Sequence, residues 1–463
     1  MTRAAFIAKV VGPSTVRAVN YDPLIDRLRT VVGSRQTRPL GEWITSLGKT
    51  YAAVLTRADC EPQHGDELLS QVDAFASEPM GRWIRGDLMR FVEDLRVERG
   101  DILIAGAGQI GPATLFGRSL VADSRLAGKL AAGDLMVLRG GGSDDDNLLY
   151  LAAFLRSEVG VAAVRSCAYG TSIPRMRPDL LAQLPVPLPD SDQKRRIAAL
   201  MRTTVEQREQ YALSLKAARR VIEDLPEMRE AYAMCADRRA RCITWSGDLP
   251  TINAWTFAST GGAFGLLLKR WSARLGDLVP AAGIFRGNRF ARIPCRAPHG
   301  ADLLSQRDVF LVRPIPQRVL VSNHELAQLT APVGSLLVGG QGTLGEGEVF
   351  GRVVLVTSDI AGKAITEHLL RIQPSSEHQA KVYAFLSTLV GLRLLRSAAV
   401  GTKLLGLRPD ILRRLPVPEL SAGQERIVAE SVREAMAARN CAAVAEADAA
   451  RVVENEVLAQ WLA

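Results

Sequence analysis

Apolar residues form distinct patterns along the chain, and each pattern predicts a kind of secondary-structure element. Short apolar runs such as 101–105 and 353–357 lie beside glycine-rich stretches, which is typical of buried β-strands. Residues 148–164 and 381–395 carry apolar residues at every third or fourth position, which predicts a helix in each place. The pattern therefore predicts mixed α+β structure, with strands and helices alternating along the sequence.

Two polar stretches, from about 191 to 240 and from about 422 to 462, carry only a narrow apolar stripe. Such a stripe suits a long helix lying along another helix better than one that covers a large core. Residues 190–239 contain 11 basic and 9 acidic side chains, whereas residues 421–463 contain 4 and 7. These opposite balances favour pairing of the two helices with each other. Two unrelated amphipathic surface helices are the alternative.

The same order of elements occurs twice because the sequence itself repeats. Residues 100–118 match residues 334–352 without a gap, at an offset of 234. Residues 170–197 match residues 401–427 at an offset of 231. A repeat of this length is too long for a solenoid or a propeller, so one unit of about 230 residues is used twice.

Both repeats end in the tetrapeptide LPVP, at 184–187 and at 415–418. Proline lacks an N–H group and forces extended backbone on the residue before it, so we expect the chain to leave each domain there. Asp190 and Ser421 follow as N-cap candidates for the two long helices. Pro226 is expected to kink or end the first of these helices.

Composition indicates a globular protein of 463 residues, with 58 Lys and Arg against 49 Asp and Glu and a net charge of +9. Runs long and apolar enough to cross a membrane are missing, and the first residues do not resemble a signal peptide, so we expect a cytoplasmic protein. The six cysteines never form C-x-x-C, and the five histidines are dispersed. We therefore expect reduced, structural thiols and no zinc site.

The glycine-rich stretches 106–111 and 340–345 each spell G-x-G-x-x-G, the pattern of dinucleotide-binding folds. In such a fold the third glycine opens a helix whose N-terminus holds the pyrophosphate. Here the residues that follow are too rich in glycine for a helix and predict a turn into another strand. A glycine-rich hairpin is the preferred interpretation. An enzyme with two dinucleotide sites remains a remote alternative.

Other catalytic signatures are missing from the sequence. It contains no phosphate-binding G-x-x-x-x-G-K-[ST], no G-x-S-x-G and no H-E-x-x-H. The Pro-Pro-Tyr or Pro-Pro-Phe motif of amino-methyltransferases is also missing. The acidic run 144–146 occurs in one repeat only, which favours a solvated loop over a metal site. We therefore predict neither catalytic residues nor metal ligands in this chain.

Arginines are distributed in a way that suits binding to nucleic acid. The guanidinium group can bind guanine or phosphate, and asparagine can read adenine. In the first repeat, further arginines occur at Arg90, Arg96 and Arg99. The candidate DNA-binding residues are Lys49, Arg82, Arg85, Arg286, Asn288, Arg289 and Arg292. The alternative for each single arginine is a solvated surface, but the whole set in a basic chain favours nucleic-acid binding.

Taken in this order and in two copies, these motifs resemble the specificity subunits of type I restriction–modification systems. The resemblance rests on the repeated block from Gly170 to Ile197 and from Gly401 to Ile427, on both glycine-rich stretches, and on 83–88. It implies two target-recognition domains, each followed by a long α-helix, with the helices paired as an antiparallel coiled-coil spacer. The implied domains are 1–189 and 245–420, and the implied spacer helices are 190–244 and 421–463.

The resemblance also implies a non-catalytic subunit that reads an asymmetric, bipartite site in double-stranded DNA. The differing segments 44–97 and 279–331 would read bases, and the helices would set the gap, because some 35 helical residues span roughly 50 Å. Two methyltransferase subunits, and in some assemblies a translocating nuclease, would carry out catalysis. S-adenosylmethionine would bind to those partners, and this chain would hold no cofactor. The candidate partner-interface residues are Gln193, Ile197, Gln424 and Ile427.

Three departures from the family pattern bear on this expectation. Pro226 interrupts the first helix, the first 35 residues match the second repeat poorly, and 83–88 has no clear counterpart, with 309–313 the nearest. These departures leave open a DNA- or protein-binding adaptor in a phage-defence complex that does not methylate.

Overall fold

The computed structural model describes residues 37–48, 58–89, 92–142, 145–170, 172–236, 259–345 and 347–459. Two compact units divide the chain. Unit 1 comprises Met1–Glu209 and Cys441–Ala463, and unit 2 comprises Gln210–Asn440. Both divisions fall inside long helices, so each of these helices contributes residues to both units.

The first repeat is rich in short strands and ends in a long helix. Its elements, with the helix that follows Pro226, are β1 (Thr37–Pro39), β2 (Ser46–Leu47), β3 (Asp66–Leu69), α1 (Gln71–Ala74), β4 (Arg82–Ile84), β5 (Ile102–Ala105), β6 (Ser119–Val121), β7 (Leu130–Ala131), β8 (Leu135–Arg139), α2 (Asp146–Arg156), α3 (Glu158–Ser166), β9 (Ala168–Tyr169), β10 (Arg175–Met176), α4 (Pro178–Ala182), β11 (Pro185–Pro187), α5 (Ser191–Glu223) and α6 (Pro226–Ala236).

The second repeat follows a similar order, but it has one short strand without a counterpart in the first, and its short helix comes after the strands that correspond to β3 and β4 instead of between them. Its elements are α7 (Ser259–Arg270), β12 (Ile284–Arg286), β13 (Ala301–Leu304), β14 (Gln317–Val319), α8 (Asn323–Leu329), β15 (Leu336–Gly339), β16 (Gln341–Gly342), β17 (Val353–Leu355), β18 (Ala364–Ile365), β19 (Leu369–Ile372), α9 (Gln379–Leu386), α10 (Leu389–Ser397), β20 (Ala399–Val400), β21 (Leu405–Leu407), α11 (Pro409–Leu412) and α12 (Ala422–Val452).

In unit 1 a four-stranded antiparallel sheet of order β2-β8-β5-β6 lies at the centre. All four residues of β5 are buried, which explains the continuous apolar run there. Helices α2 and α3 pack against this sheet, and Tyr150 and Phe154 are fully buried in the shared core. A second sheet, of order β4-β3-β7, pairs β3 with β7 in parallel.

Unit 2 repeats this architecture with the sheets β12-β19-β15-β17 and β14-β13-β18. The pairing register is the same as well. Leu103 lies opposite Val137 in unit 1, and Leu337 lies opposite Arg371 in unit 2, so both positions are shifted by 234 residues. The predicted duplication is therefore a duplication of fold.

The glycine-rich stretches form hairpin connections, as their composition predicts. Strands β5 and β6 pair antiparallel, with Ile102 opposite Val121, and residues 106–118 connect them. Strands β15 and β17 pair in the same way. A dinucleotide-binding fold needs a helix directly after the first strand, and the described chain continues into β6 and β17 instead.

The prediction of one unbroken helix over 148–164, and of another over 381–395, is wrong. Ser157 begins a new helix by accepting a hydrogen bond from the N–H of Gly160 through its hydroxyl, and Thr388 does the same for Gly391. Helices α2 and α3 meet at an angle of 84°. Apolar spacing continues through the bend because both short helices face the same core.

The two long helices pair antiparallel within each unit. In unit 1, Arg196 contacts Glu456 at 2.9 Å and Arg208 contacts Glu446 at 2.9 Å, so residue numbers rise along one helix as they fall along the other. In unit 2, the hydrophobic core joins the 211–222 face of α5 to the 428–438 face of α12. Helix α5 ends at Glu223 and α6 begins at Pro226, so the expected interruption at this proline is confirmed.

Strand pairing also identifies the counterpart of 83–88 in the second repeat. Leu68 lies opposite Arg82 in the β3–β4 pair, and Leu303 lies opposite Gln317 in the β13–β14 pair. The counterpart strand is therefore Gln317–Val319, and the suggestion of 309–313 is wrong.

Among the described residues, no single helix has the length and apolar character that a membrane span requires. The bent pair of α2 and α3 meets these two criteria only as a pair, and most of its side chains lie in the core of unit 1.

Candidate nucleic-acid interface

Each unit contains a junction where the end of a buried strand, a glycine-rich loop and a short hairpin meet. In unit 1 the Gln71 side-chain amide donates to the Ala107 carbonyl oxygen at 2.8 Å. The hairpin of β9 and β10 joins the same loop, because the Met176 N–H donates to the Gly106 oxygen at 2.9 Å and the Gly108 N–H donates to the Pro174 oxygen at 3.0 Å.

Unit 2 builds the same junction from equivalent residues. The Gln306 side-chain amide donates to the Gln341 carbonyl oxygen at 2.7 Å. The hairpin of β20 and β21 joins this loop through the Leu407 N–H, which donates to the Gly340 oxygen at 3.1 Å. We call both sites the loop junction. It comprises Gln71, 106–108 and 174–176 in unit 1, and Gln306, 340–342 and 405–407 in unit 2.

A cavity of about 410 Å³ opens at the loop junction of unit 1. Arg82 and Arg175 place positive charge on its wall, while Asp73 and Asp134 place carboxylates there. Its other lining residues are Leu68, Ser70, Ala107, Ala132 and Gly133. In unit 2, Gln341 and His368 take the positions of Ala107 and Asp134, and a hydrogen bond joins their side chains. The two junctions thus share a backbone frame and differ in the groups they display.

The candidate cations of unit 1 are exposed but paired. Arg82 contacts Asp59, and this hydrogen-bonded ion pair lowers the pKa of the Asp59 carboxyl. Arg85 donates to Asp87 at 2.7 Å, and the pKa of Asp87 is lowered for the same reason. Ion pairs exposed to water are weak, so a DNA phosphate can take the place of either carboxylate.

The other cations of the first repeat either form hydrogen bonds within unit 1 or lie outside the described residues. Arg96 donates to Asp66 at 3.0 Å and to the Gly128 oxygen at 2.7 Å, and Arg99 donates to Glu209 at 2.8 Å. These contacts tie loops to the body of unit 1. Lys49 and Arg90 lie outside the described residues.

In unit 2, three candidates lie together in the segment after β12. Arg292 donates to Glu367 at 2.6 Å, Arg289 approaches the same carboxylate at 3.7 Å, and the Asn288 side chain is exposed. Burial opposes ionisation of Glu367, but backbone hydrogen bonding and Arg292 outweigh it and lower the pKa of this carboxyl. The segment therefore displays two guanidinium groups and one amide to solvent.

The structure gives Arg286 a different role from the one predicted. Its guanidinium donates to the carbonyl oxygens of Gly340 at 2.9 Å and Leu407 at 3.0 Å, and burial lowers its pKa. Arg286 thereby holds the two arms of the loop junction together. We assign it to the frame of the site and not to DNA contact.

Three of the four candidate partner-interface residues have roles inside the chain. Gln193 accepts a hydrogen bond from the Asp190 N–H at 3.0 Å, and Gln424 accepts one from the Ser421 N–H at 2.9 Å, so both act as helix caps. Ile197 is fully buried against the second long helix. Ile427 alone has about half of its surface exposed to solvent.

The exposure of four apolar residues at equivalent positions was not predicted from the sequence. Ile173 and Leu404 are separated by the repeat offset of 231, and so are Leu213 and Val444. All four side chains are exposed. An aliphatic residue that occurs at the same place in both repeats was the available signal.

Within the described ranges, no group of three or more His, Cys, Asp or Glu side chains is arranged to hold a metal ion.

Comparison with known proteins gives structural likeness without sequence matches. No family model matches the chain, and no curated protein matches it. The chain is similar to the crystal structure of a type I restriction–modification system S subunit from M. genitalium, with 12% identity, a TM-score of 0.30, and coverage of 92% of this chain and 95% of that one.

Two further solved structures are similar over comparable lengths. The HsdS subunit from Thermoanaerobacter tengcongensis gives 16% identity and a TM-score of 0.27 over 91% of this chain and 96% of that one. A structure described as the basis of complex assembly and conformational transition of the type I R-M system gives 17% identity and a TM-score of 0.27, over 92% and 97%.

Proposed function

We propose that this chain is the non-catalytic DNA-specificity subunit of a type I restriction–modification-like complex. Unit 1 and unit 2 each read one half of a bipartite site in double-stranded DNA. The paired long helices set the gap between the halves. Methyltransferase subunits, and in some assemblies a nuclease, supply the chemistry.

The observation that carries this proposal is one frame displaying two different sets of groups. The hydrogen bond from a glutamine side chain to a backbone carbonyl oxygen in the loop junction occurs in both units, at 2.8 Å and 2.7 Å. Around it, unit 1 displays Arg82 and Asp134, whereas unit 2 displays Asn288, Arg289 and Arg292. Two readers with a common frame and different side chains suit an asymmetric site, because side chains at base edges decide sequence.

Docking of partner subunits is best supported on the outer faces of the long helices. Leu213 and Val444 are exposed at equivalent positions of the repeat, and Ile427 is exposed near the start of the second helix. Equivalent apolar residues in two repeats suit two copies of one partner, bound in pseudo-two-fold fashion. This assignment replaces Gln193 and Ile197, whose side chains are buried.

The test is to map modified adenines across the genome in cells that carry the native methyltransferase with or without this chain. We expect a bipartite, asymmetric motif that disappears when the chain is deleted. Unchanged methylation would contradict the proposal and favour an adaptor in a complex that does not methylate. A variant shortened by one turn in both long helices should change the gap and leave the half-sites unaltered.

A further inference from the structure

We infer that Ile173 in unit 1 and Leu404 in unit 2 are apolar wedges that contact DNA between or against its bases. This inference rests on the proposed DNA-reading function and deepens it. The side chains are 64% and 61% exposed, and both lie at the tips of equivalent hairpins. Packing within this chain therefore does not explain why an aliphatic residue occurs at either position.

The hairpins are short and firmly held at their bases. In unit 1, Arg175 pairs with Tyr169 and Met176 pairs with Ala168. In unit 2, Val400 pairs with Gly406. Each hairpin is then hydrogen-bonded to its glycine-rich loop, as described for the loop junction. A contact residue held in this way loses little conformational entropy when it binds.

Glycine shapes both tips. Gly170 has φ of 85° and Gly401 has φ of 114°, values that L-residues with a side chain rarely adopt. A Cβ atom on Gly401 would also lie 2.7 Å from the carbonyl oxygen of Leu404. The same backbone constraint therefore places the aliphatic residue at the tip in both repeats.

Positive charge beside each tip favours DNA over a protein partner. Arg175 is exposed beside Ile173, and Lys403 is exposed next to Leu404. Neither cation has an ion pair or a side-chain hydrogen bond to any other residue that the structure describes. One exposed aliphatic group with a cation beside it suits a base step flanked by phosphates, since DNA-bending proteins insert Ile, Leu or Pro there. A protein interface is built instead around a larger apolar core.

The duplication specifies the kind of contact. The groups that differ between the units suit base identity, but Ile173 and Leu404 have nearly the same size and the same position. A contact made alike at both half-sites reads the shape and deformability of the duplex, whatever its bases are. We therefore expect local unstacking of one base step in each half-site.

The test uses the full chain with its co-expressed partners and a duplex that carries the mapped recognition site. Permanganate oxidation of unstacked thymines and the dissociation constant are measured for the wild type and for the double variant Ile173→Ala, Leu404→Ala. We expect the variant to lose the reactive thymines and to bind about tenfold more weakly. Its salt dependence should stay unchanged, because no phosphate contact is lost.

Matched variants separate the wedge from its surroundings. The double variant Ile173→Leu, Leu404→Ile keeps the apolar volume and should behave like the wild type. Arg175→Gln and Lys403→Gln should each reduce the slope of log affinity against log salt by about one and keep the reactive thymines. Thermal unfolding of every variant should match that of the wild type, because these side chains are exposed.

Three outcomes would overturn the inference, and they differ from one another. Equal affinity and equal thymine reactivity in the alanine variant would show that the tips do not contact bases. Loss of a co-purified partner with unaltered DNA binding would show a protein-docking site. Failure of the wild type to bind any mapped duplex would refute the proposed function as well.

Discussion

The buried ion pair between Arg208 and Glu446 gives the sharpest test of how the long helices are held together in unit 1. Both side chains are only 5% exposed, and the Arg208 Nη2 to Glu446 Oε1 distance is 2.9 Å. Arg156 approaches the same carboxylate at 3.7 Å. The Glu446→Ala variant would therefore leave two guanidinium groups without their carboxylate in a water-poor position.

The expected cost follows from this burial. Removing one member of a buried pair costs about 3–5 kcal/mol, because the remaining charge is desolvated without compensation. At an m-value of about 3 kcal/mol per molar urea, the unfolding midpoint of unit 1 should fall by about 1–1.7 M. The paired replacement Arg208→Met, Glu446→Leu removes both charges and should be neutral or stabilising by about 1–4 kcal/mol.

The assay is equilibrium unfolding in urea, with Asp448→Ala as the control on the same helix. Asp448 forms an exposed ion pair with Arg451, so its loss should cost well under 1 kcal/mol. A Glu446→Ala midpoint that stays close to the control would refute the reasoning. A paired replacement as unstable as Glu446→Ala would show that packing, and not an unpaired charge, determines the cost.

Three further predictions concern the stability of the fold: a glycine at a helix start, a buried ion pair and a helix cap. Gly160→Ala should destabilise unit 1 by about 1–3 kcal/mol in thermal unfolding, because the added Cβ atom would lie 1.9 Å from the Phe154 carbonyl oxygen. The control Gly265→Ala, which has open space around the added Cβ atom, should be neutral or stabilising. Burial opposes ionisation of Asp359, but Arg439 and Thr357 outweigh it and lower its pKa. The ion pair should therefore make its full contribution to the free energy of unfolding above the unfolded-state pKa of about 3.9, and this contribution should be lost as pH falls through the lower folded-state pKa. Acid titrations should show this loss in the wild type but not in Asp359→Asn. Gln424→Ala should cost about 1 kcal/mol by removing a helix cap while co-purification of partners, measured by pull-down, stays unchanged.

The duplication, the strands and the two long helices could be predicted from the sequence because each depends on local pattern. The break between α2 and α3 could not be predicted from apolar spacing, because that spacing continues through the bend. The local signal was the capping serine three residues before Gly160, and it recurs as Thr388 before Gly391. Hydroxyl and glycine at that spacing in both repeats indicate a new helix start.

The site was less predictable because the same residue type serves two purposes. Arg286 and Arg289 are three residues apart in one segment, yet Arg286 braces two carbonyl oxygens and Arg289 faces solvent. Sequence pattern does not separate these roles, because backbone carbonyl groups carry no sequence signal. Ile197 could have been excluded as a partner contact, since it belongs to the apolar stripe predicted to pair the helices.

Divergence between the two repeats extends below the exposed segments into the core. Val137 and Arg371 occupy the same register of the central sheet, and Arg371 is fully buried in unit 2. Its guanidinium donates to the Leu329 oxygen at 2.7 Å and lies under Gly287, where a Cβ atom would be 2.1 Å from Nη1. A core residue particular to unit 2 thus requires glycine in the segment that displays Asn288, Arg289 and Arg292. Exchange of the exposed segment alone between repeats would place that glycine over a valine, so transfer of specificity requires the core residue beneath it as well.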